Sequence, residues 1–142
     1  MKPFQPAFPI YERDIHAACA DMLDAVLMPP AEWWCYPAGA TQLSPQQLAA
    51  HARIGLKRGL PDLFVLYHDL YGIELKRQGE RVSETRIVKT RSGRMRELIG
   101  QADMFPRLIA AGMREIVIAH NVTEMMSHLK RWQIPLRGRI AA

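Results

Sequence analysis

Residues 58–76 read RGLPDLFVLYHDLYGIELK, and the rest of the chain is organised around them. The stretch contains two apolar runs with strand character, Leu63–Tyr67 and Gly72–Leu75. A short turn-like segment, His68–Tyr71, separates the two runs. Two such runs joined by a turn are typical of a β-hairpin. We therefore expect a hairpin here, with an apolar face that belongs to a core.

Three ionisable side chains fall at one edge of this hairpin. Side chains two residues apart on a strand point to the same face, so Glu74 and Lys76 are expected side by side. Ile73 and Leu75 then turn the other way, into the core. Asp62 directly precedes the first strand, and pairing of the two strands brings it beside Glu74. The sequence thus predicts two carboxylates and one ammonium group on the rim of an apolar sheet.

This combination of side chains has a chemical use. Two nearby carboxylates repel each other and are costly to keep ionised unless a cation lies between them. Mg²⁺ and Mn²⁺ favour carboxylate, carbonyl and water oxygens. Such an ion can hold a phosphate oxygen and lower the pKa of a water, and a lysine can position that water or stabilise developing charge. The alternative is structural: Asp62 caps a turn, and Glu74 is a solvated residue paired with Lys76.

The order of these residues resembles a known nuclease signature. Pro61-Asp62 followed by Glu74-Leu75-Lys76 looks like the PD-(D/E)xK motif. The RGLPDL run, the GIELKR strand, and Gln101 followed by residues 108–112 (LIAAG) resemble the VRR-NUC branch, the virus-type replication-repair nucleases. The resemblance covers about Tyr11 to Trp132. It implies an α/β fold with a PD-(D/E)xK nuclease-like core, in which helices flank a small mixed β-sheet.

The resemblance also implies an activity. Family members are metal-dependent DNA nucleases that hydrolyse phosphodiester bonds. A structure-selective endonuclease that acts on branched DNA, such as Holliday junctions or flaps in replication, repair and recombination, is the expected function. Mg²⁺ or Mn²⁺ is the expected cofactor, and a homodimer the expected assembly. The implied catalytic residues are Asp62, Glu74, Lys76 and Gln101. The implied metal ligands are Asp62, Glu74, the Leu75 carbonyl oxygen and Glu12.

Other interpretations of these residues stay open. Glu12 and Asp14 lie in the first turn of a predicted helix, where the helix dipole favours acids. Gln101 has the ordinary character of a polar residue at a helix start. The whole chain could be a DNA-binding module that keeps the fold without the chemistry. It could also be a phage structural protein that binds nucleic acid through charge alone.

The positive charge is concentrated around the predicted site. The chain has a net charge of +5, and residues 53–96 hold eleven Lys/Arg against five Asp/Glu, which gives +6 there and leaves −1 elsewhere. Such a patch is the expected footprint of a phosphate-backbone partner, although ordinary surface charge is the alternative. The expected nucleic-acid-binding residues are Lys57, Arg58, Arg77, Arg81, Arg86, Lys89, Arg91, Arg94 and Arg96.

Residues 77–99 depart from the simplest family pattern, in which a short loop leads from the lysine to the glutamine helix. Here Arg86–Thr90 and Arg94–Leu98 flank Arg91–Gly93, a turn signal. The pattern predicts an inserted basic β-hairpin that could lie along a DNA groove. A solvated hairpin, a dimer contact and an uninterrupted helix are the alternatives.

The remaining elements follow from periodicity and from helix and turn signals. We expect an extended arm over 1–10, a nuclease-like domain over 11–132 and a basic, loose tail within 133–142. The expected helices cover Tyr11–Met28, Ser44 to about Leu56, Gln101–Ala111 with a stop at Gly112, and Thr123–Trp132. Strands are expected at Glu32–Tyr36 and at Glu115–Ala119, the latter parallel to the second hairpin strand. Trp33 and Trp34 point to opposite faces of their strand; core packing is expected for both, and a contact of one of them with nucleic acid or a second subunit is the alternative.

Bulk properties limit the class of protein. The 142 residues are the size of one domain. No apolar run approaches the roughly 20 residues that cross a bilayer, and the start has no apolar segment of signal-peptide length. Cys19 and Cys35 form neither a disulfide framework nor a zinc motif, and a buried Cys19 thiol is expected. A reducing, cytoplasmic setting in a bacterium, phage or prophage host is the expectation.

Overall fold

A computed structural model describes residues 12–36 and 44–138 of the chain, and four helices and six strands lie in these ranges. In chain order they are α1 (Glu12–Val26), β1 (Glu32–Cys35), α2 (Pro45–Arg53), β2 (Leu63–Tyr67), β3 (Asp69–Leu75), β4 (Arg86–Lys89), β5 (Met95–Leu98), α3 (Gln101–Ala110), β6 (Glu115–Ala119) and α4 (Val122–Arg131).

The main sheet has four strands in the order β1-β2-β3-β6. The first two pairings are antiparallel, and β3 and β6 run parallel. The protein is therefore a mixed α/β domain with a small mixed sheet flanked by helices. The predicted parallel neighbour of the second hairpin strand is confirmed, since Ile73 pairs with Val117 and Leu75 with Ala119.

The central hairpin is tighter than expected. The predicted turn at His68–Tyr71 is wrong, because β3 begins at Asp69 and Tyr67 pairs directly with Asp69. His68 alone reverses the chain, in the left-handed region with φ 58°. Packing explains the longer strand: Tyr71 is buried and stacks on Trp132, with ring centroids 4.3 Å apart.

Helices α1 and α4 cover one face of the sheet. Ile73 and Leu75 are fully buried there, as predicted, and Cys19 of α1 is fully buried among them. Burial raises the pKa of the Cys19 thiol to about 11, so the group is a neutral core side chain. The other large, fully buried apolar residues on this face are Leu23, Leu63, Val65, Met125 and Leu129.

The two neighbouring tryptophans have different environments. Trp33 is half-buried against the core, and its indole N–H donates to Asp24 of α1 at 3.0 Å. Trp34 is 42% exposed and stacks on Phe64, with centroids 5.6 Å apart. The expectation that both belong to the core is wrong for Trp34, because alternation turns it to the sheet face opposite α1.

The remaining helix boundaries agree closely with the sequence signals. Ser44 and Gln47 form the predicted capping box at the start of α2, although this helix ends at Arg53 and not near Leu56. Gly112, with φ 122°, follows the last turn of α3 as expected. α4 begins at Val122, where the Asn121 side chain accepts a hydrogen bond from the Glu124 N–H.

The insertion forms a hairpin of its own. β4 and β5 pair antiparallel as a separate two-stranded sheet, which confirms the predicted hairpin and excludes the alternative of an uninterrupted helix. Its turn is closed by the Thr90 N–H, which donates to the Arg94 carbonyl oxygen at 2.8 Å. Gly93, with φ 82°, supplies the left-handed residue that this turn requires.

The chain ends are only partly described. The predicted arm over residues 1–10 lies outside the described residues, as do residues 37–43 and 139–142. The expectation of a loose tail is wrong at its start: Leu136 forms a β-bridge with Leu27, and the Met28 N–H donates to the Pro135 carbonyl oxygen at 2.9 Å. Among the described helices, none combines the length and the apolar character that crossing a bilayer needs.

Candidate metal centre

Three carboxylates converge at one edge of the sheet. One oxygen from each of Glu12, Asp62 and Glu74 lies within 4.8 Å of the other two. Glu12 is the first residue of α1, Asp62 precedes β2, and Glu74 lies in β3. The hairpin register pairs Leu63 with Ile73, which places Asp62 opposite Glu74. The structure thus brings together all three carboxylates that the resemblance implies as metal ligands.

Backbone groups from two other strands hold Asp62 in place. The Leu75 N–H donates to Asp62 Oδ2 at 2.8 Å, and the Tyr36 N–H donates to the Asp62 carbonyl oxygen at 2.9 Å. Pro61 is fully buried beside Gly72, where an added Cβ would lie 2.8 Å from the proline Cγ. The proline can therefore lie against β3 only because residue 72 has no side chain.

Glu74 is the most deeply buried of the acids, with 2% of its surface exposed. Its Oε2 atom has no hydrogen-bond partner among the described residues. Burial and the neighbouring Asp62 raise the pKa of Glu74 to about 7, against the opposing effects of Gln101 and Lys76. A buried carboxylate oxygen without a partner is costly, and a cation would supply the missing contact.

The other two acids share this electrostatic environment. Burial raises the pKa of Asp62 even though the Leu75 N–H stabilises its charged form. Burial also raises the pKa of Glu12, and Asp62 contributes to that shift. Three carboxylates crowded in this way have the donor chemistry that Mg²⁺ and Mn²⁺ prefer. The Leu75 peptide reaches the site through its N–H, whereas the role of its carbonyl oxygen stays a prediction.

Lys76 lies against two of the carboxylates. Its Nζ atom is 3.1 Å from Glu74 Oε1 and 3.9 Å from Glu12 Oε1. Burial alone would lower the pKa of Lys76, but the attraction of Glu74 and Glu12 outweighs burial and raises it. The lysine is therefore a charged group at neutral pH, held directly beside the candidate metal ligands as the strand alternation predicts.

Gln101 is held by the segment that precedes the inserted hairpin. It is the first residue of α3 and is 8% exposed. Its side-chain oxygen accepts from the Ser83 N–H at 3.1 Å, and its own N–H donates to Ser83 Oγ at 3.1 Å. Gly100 permits this contact, because a Cβ there would overlap the Glu84 carbonyl group. The glutamine faces the same cavity as the carboxylates.

These groups line a cavity of about 710 Å³. Four of its polar lining residues were missed by the sequence analysis, and they are Arg13, His16, Tyr36 and Ser83. His16 lies one helical turn after Glu12, and this i, i+4 spacing is the signal that could have found it. Tyr36 reaches the cavity beside Lys57, whose N–H donates to the tyrosine hydroxyl. No local pattern in the sequence pointed to Tyr36 or Ser83.

The predicted nucleic-acid-binding residues are spread over several surfaces. Arg58 lines the large cavity and also a smaller one of about 260 Å³, which Arg86 lines as well. Arg77 donates to Glu80 at 2.6 Å. The others are exposed and line neither cavity, and they are Lys57, Arg81, Lys89, Arg91, Arg94 and Arg96.

No protein-family model, curated protein or solved structure matches the chain. The resemblance to the VRR-NUC nucleases therefore stays a prediction. The geometry and charge of the site must carry any functional conclusion.

Proposed function

We propose that this protein is a divalent-metal-dependent nuclease that hydrolyses phosphodiester bonds in DNA. The single observation that carries this proposal is the cluster of Glu12, Asp62 and Glu74 within 4.8 Å, with the Lys76 ammonium 3.1 Å from Glu74. This is also the residue set to which the PD-(D/E)xK resemblance points. A bound cation would also supply a contact to the buried Glu74 Oε2, which has no hydrogen-bond partner among the described residues.

The side chains fit a divalent ion. Asp62 and Glu74, with Glu12 and the Leu75 carbonyl oxygen, would hold Mg²⁺ or Mn²⁺. When bound, such an ion supplies Lewis acidity, which polarises a phosphate and makes water a better nucleophile. The oxygen ligand set and the crowding of negative charge support the fit, since the three carboxylates face a single lysine.

Lys76 and Gln101 act on the reacting groups in this proposal. The Lys76 ammonium is charged and donates to the attacking water or to the phosphate oxygen on which negative charge develops. The Gln101 amide has both donor and acceptor groups and orients the same water or phosphate. Glu74, by its contact with Lys76, positions the lysine as well as the metal ion.

The proposed substrate is DNA, because the site lies within the basic stretch of the chain and Arg58 lines its cavity. Branched DNA, such as a junction or flap, is the preferred form in this proposal, and the acting species is a homodimer. A domain of 142 residues offers little surface for two duplex arms at once, which favours two copies. Light scattering of the protein with DNA tests the assembly, and a monomer at micromolar concentration would contradict it.

Incubation with labelled branched, duplex and single-stranded DNA, with Mn²⁺ or with chelator, tests the activity. The wild-type protein should cleave only with metal. Lys76→Ala and Asp62→Asn should each lower the cleavage rate by about 100-fold or more, as expected for loss of transition-state stabilisation. Lys130→Ala, on the exposed surface of α4, is the matched control and should cleave normally. Equal cleavage by Lys76→Ala and Lys130→Ala would remove the proposed role of Lys76.

A further inference from the structure

The two faces of the inserted hairpin differ in charge. Its register pairs Arg86 with Leu98 and Val88 with Arg96. Directly paired residues, and alternate residues along a strand, share a face. We call the face formed by these four residues the cationic face. The residues of the opposite, outer face are Ile87, Lys89, Met95 and Glu97.

The cationic face is the one that turns toward the body of the protein. Its two apolar members, Val88 and Leu98, are half-buried. On the outer face, Ile87 is 65% exposed and Met95 is 67% exposed. The outer face therefore lies toward solvent, whereas the cationic face borders the cleft between the hairpin and the start of α3.

That cleft adjoins the cavity of the candidate metal centre. Arg86 and Leu98 line the cavity of about 260 Å³, and Arg58 lines it together with Ser83 and Ile99. The last three residues also line the larger cavity that holds the carboxylates. Arg58 thus stands where the two cavities meet. Glu84 is the one acid in the smaller cavity, set against two arginines.

We propose that Arg58, Arg86 and Arg96 form a phosphate track that carries a DNA backbone from the carboxylate cavity onto the cationic face of the hairpin. Guanidinium groups bind phosphate in a bidentate manner, which suits arginine to this role. Arg86 and Arg96 are diagonal neighbours across the two strands, since Arg86 pairs with Leu98 and Arg96 is two residues before it. Such diagonal neighbours are about 7–8 Å apart, close to the rise of two nucleotides of one strand at about 3.4 Å each. Lys89 was expected to bind nucleic acid, but it lies on the outer face opposite Met95, and in this proposal it takes no part in the track.

The track rests on the proposed function only in placing the cleaved bond at the carboxylates. The path of the DNA backbone can therefore be tested by DNA binding alone, without cleavage. Fluorescence anisotropy in chelator, with a labelled 30-base-pair duplex and its single strand as probes, measures affinity without cleavage. Arg86→Ala combined with Arg96→Ala should weaken binding by about ten-fold or more. The slope of log affinity against log salt for the duplex should become shallower by about 1.8, as for two lost phosphate contacts.

Lys89→Ala is the matched control, since it removes a cation from the same hairpin but from the other face. Its affinity should stay within about two-fold of the wild type. Arg86→Lys combined with Arg96→Lys should restore part of the lost affinity, because lysine keeps the charge but not the bidentate contact. Thermal melting should show all of these variants folded.

Three results would overturn the track. They are no binding of either probe by the wild type, equal losses of affinity from Lys89→Ala and from the double alanine variant, and normal affinity in the double alanine variant. The two proposals fail separately. A protein that binds in the predicted one-sided way but never cleaves keeps the track and loses the nuclease function. If the protein cleaves DNA with metal but the double alanine variant binds DNA normally, the nuclease function is kept and the track is lost.

Discussion

The Leu75 N–H donates a 2.8 Å hydrogen bond to Oδ2 of Asp62, so a backbone group of β3 holds the carboxylate that precedes β2. The hairpin itself therefore fixes the relative position of Asp62 and Glu74. The site depends on strand pairing as much as on side-chain identity. Changes that shift the two strands by a fraction of an ångström should disturb the site before they unfold the protein.

Gly72→Ala tests this dependence. The new methyl group would lie 2.8 Å from Pro61 Cγ and 3.1 Å from Met113 Cε, so Pro61 and the adjacent Asp62 must move. We expect a loss of about 1–3 kcal/mol in unfolding free energy, as for other overpacked cores, together with weaker Mn²⁺ binding. Urea denaturation and calorimetry measure the two effects.

Gly55→Ala is the control for this substitution. A Cβ at Gly55 meets nothing within 4 Å, but its φ of 97° makes alanine strained. It should therefore cost stability while Mn²⁺ affinity stays normal. If Gly72→Ala lowered stability without changing metal affinity, the link between the hairpin packing and the site would be wrong.

The metal-free protein should lose stability as pH rises from about 4.5 to 7. Glu74 has an ordinary pKa of 4.5 that is raised to about 7 in the fold. In this window the folded state holds a proton that the unfolded state has released, so the unfolding free energy falls with pH. Urea denaturation in chelator at several pH values should show this fall, and Glu74→Gln should flatten it. A wild-type slope no steeper than that of the variant would contradict the prediction.

Divalent metal should bind at this site and compete with protons. Calorimetry should detect Mn²⁺ binding to the wild type, with weaker affinity below about pH 7 because Glu74 then holds a proton. Bound metal should also raise the melting temperature. Asp62→Asn and Glu74→Gln should each abolish most of the binding. Glu97→Gln, on the exposed outer face of the hairpin, should bind as the wild type does. Absence of binding at millimolar Mn²⁺ would favour the alternative of a DNA-binding module without chemistry.

Ser83→Ala should impair Gln101 without removing a metal ligand. The Ser83 hydroxyl accepts from the Gln101 N–H at 3.1 Å at the start of α3, and loss of such a contact costs about 1 kcal/mol. We expect a slower cleavage rate with unchanged Mn²⁺ affinity. Ser127→Ala, on the exposed side of α4, is the matched control. A parallel loss of metal affinity in Ser83→Ala would show that Gln101 is not the residue affected.

The sequence predicted the convergence of Asp62, Glu74 and Lys76 because it depends on strand alternation, which is local. Helix ends such as the Ser44 capping box were predictable for the same reason. Tyr36 reaches the cavity through packing of the β1 end of the chain against the hairpin, which no local pattern encodes. His16 could have been found from its i, i+4 spacing to Glu12 on α1. The sequence analysis missed the early start of β3. We attribute this start to the stacking of Tyr71 on Trp132, a contact between residues about 60 positions apart in the chain.

The inserted hairpin begins and ends at nearly the same point in space. The Gly100 N–H donates to Thr85 Oγ1 at 3.0 Å, and the Thr85 hydroxyl in turn binds the Asp103 carboxylate. These hydrogen bonds close the insertion at its base, so residues 86–98 leave the fold and return to it at one point. A different hairpin could replace residues 86–98 and change the charge of this surface without altering the carboxylate cluster.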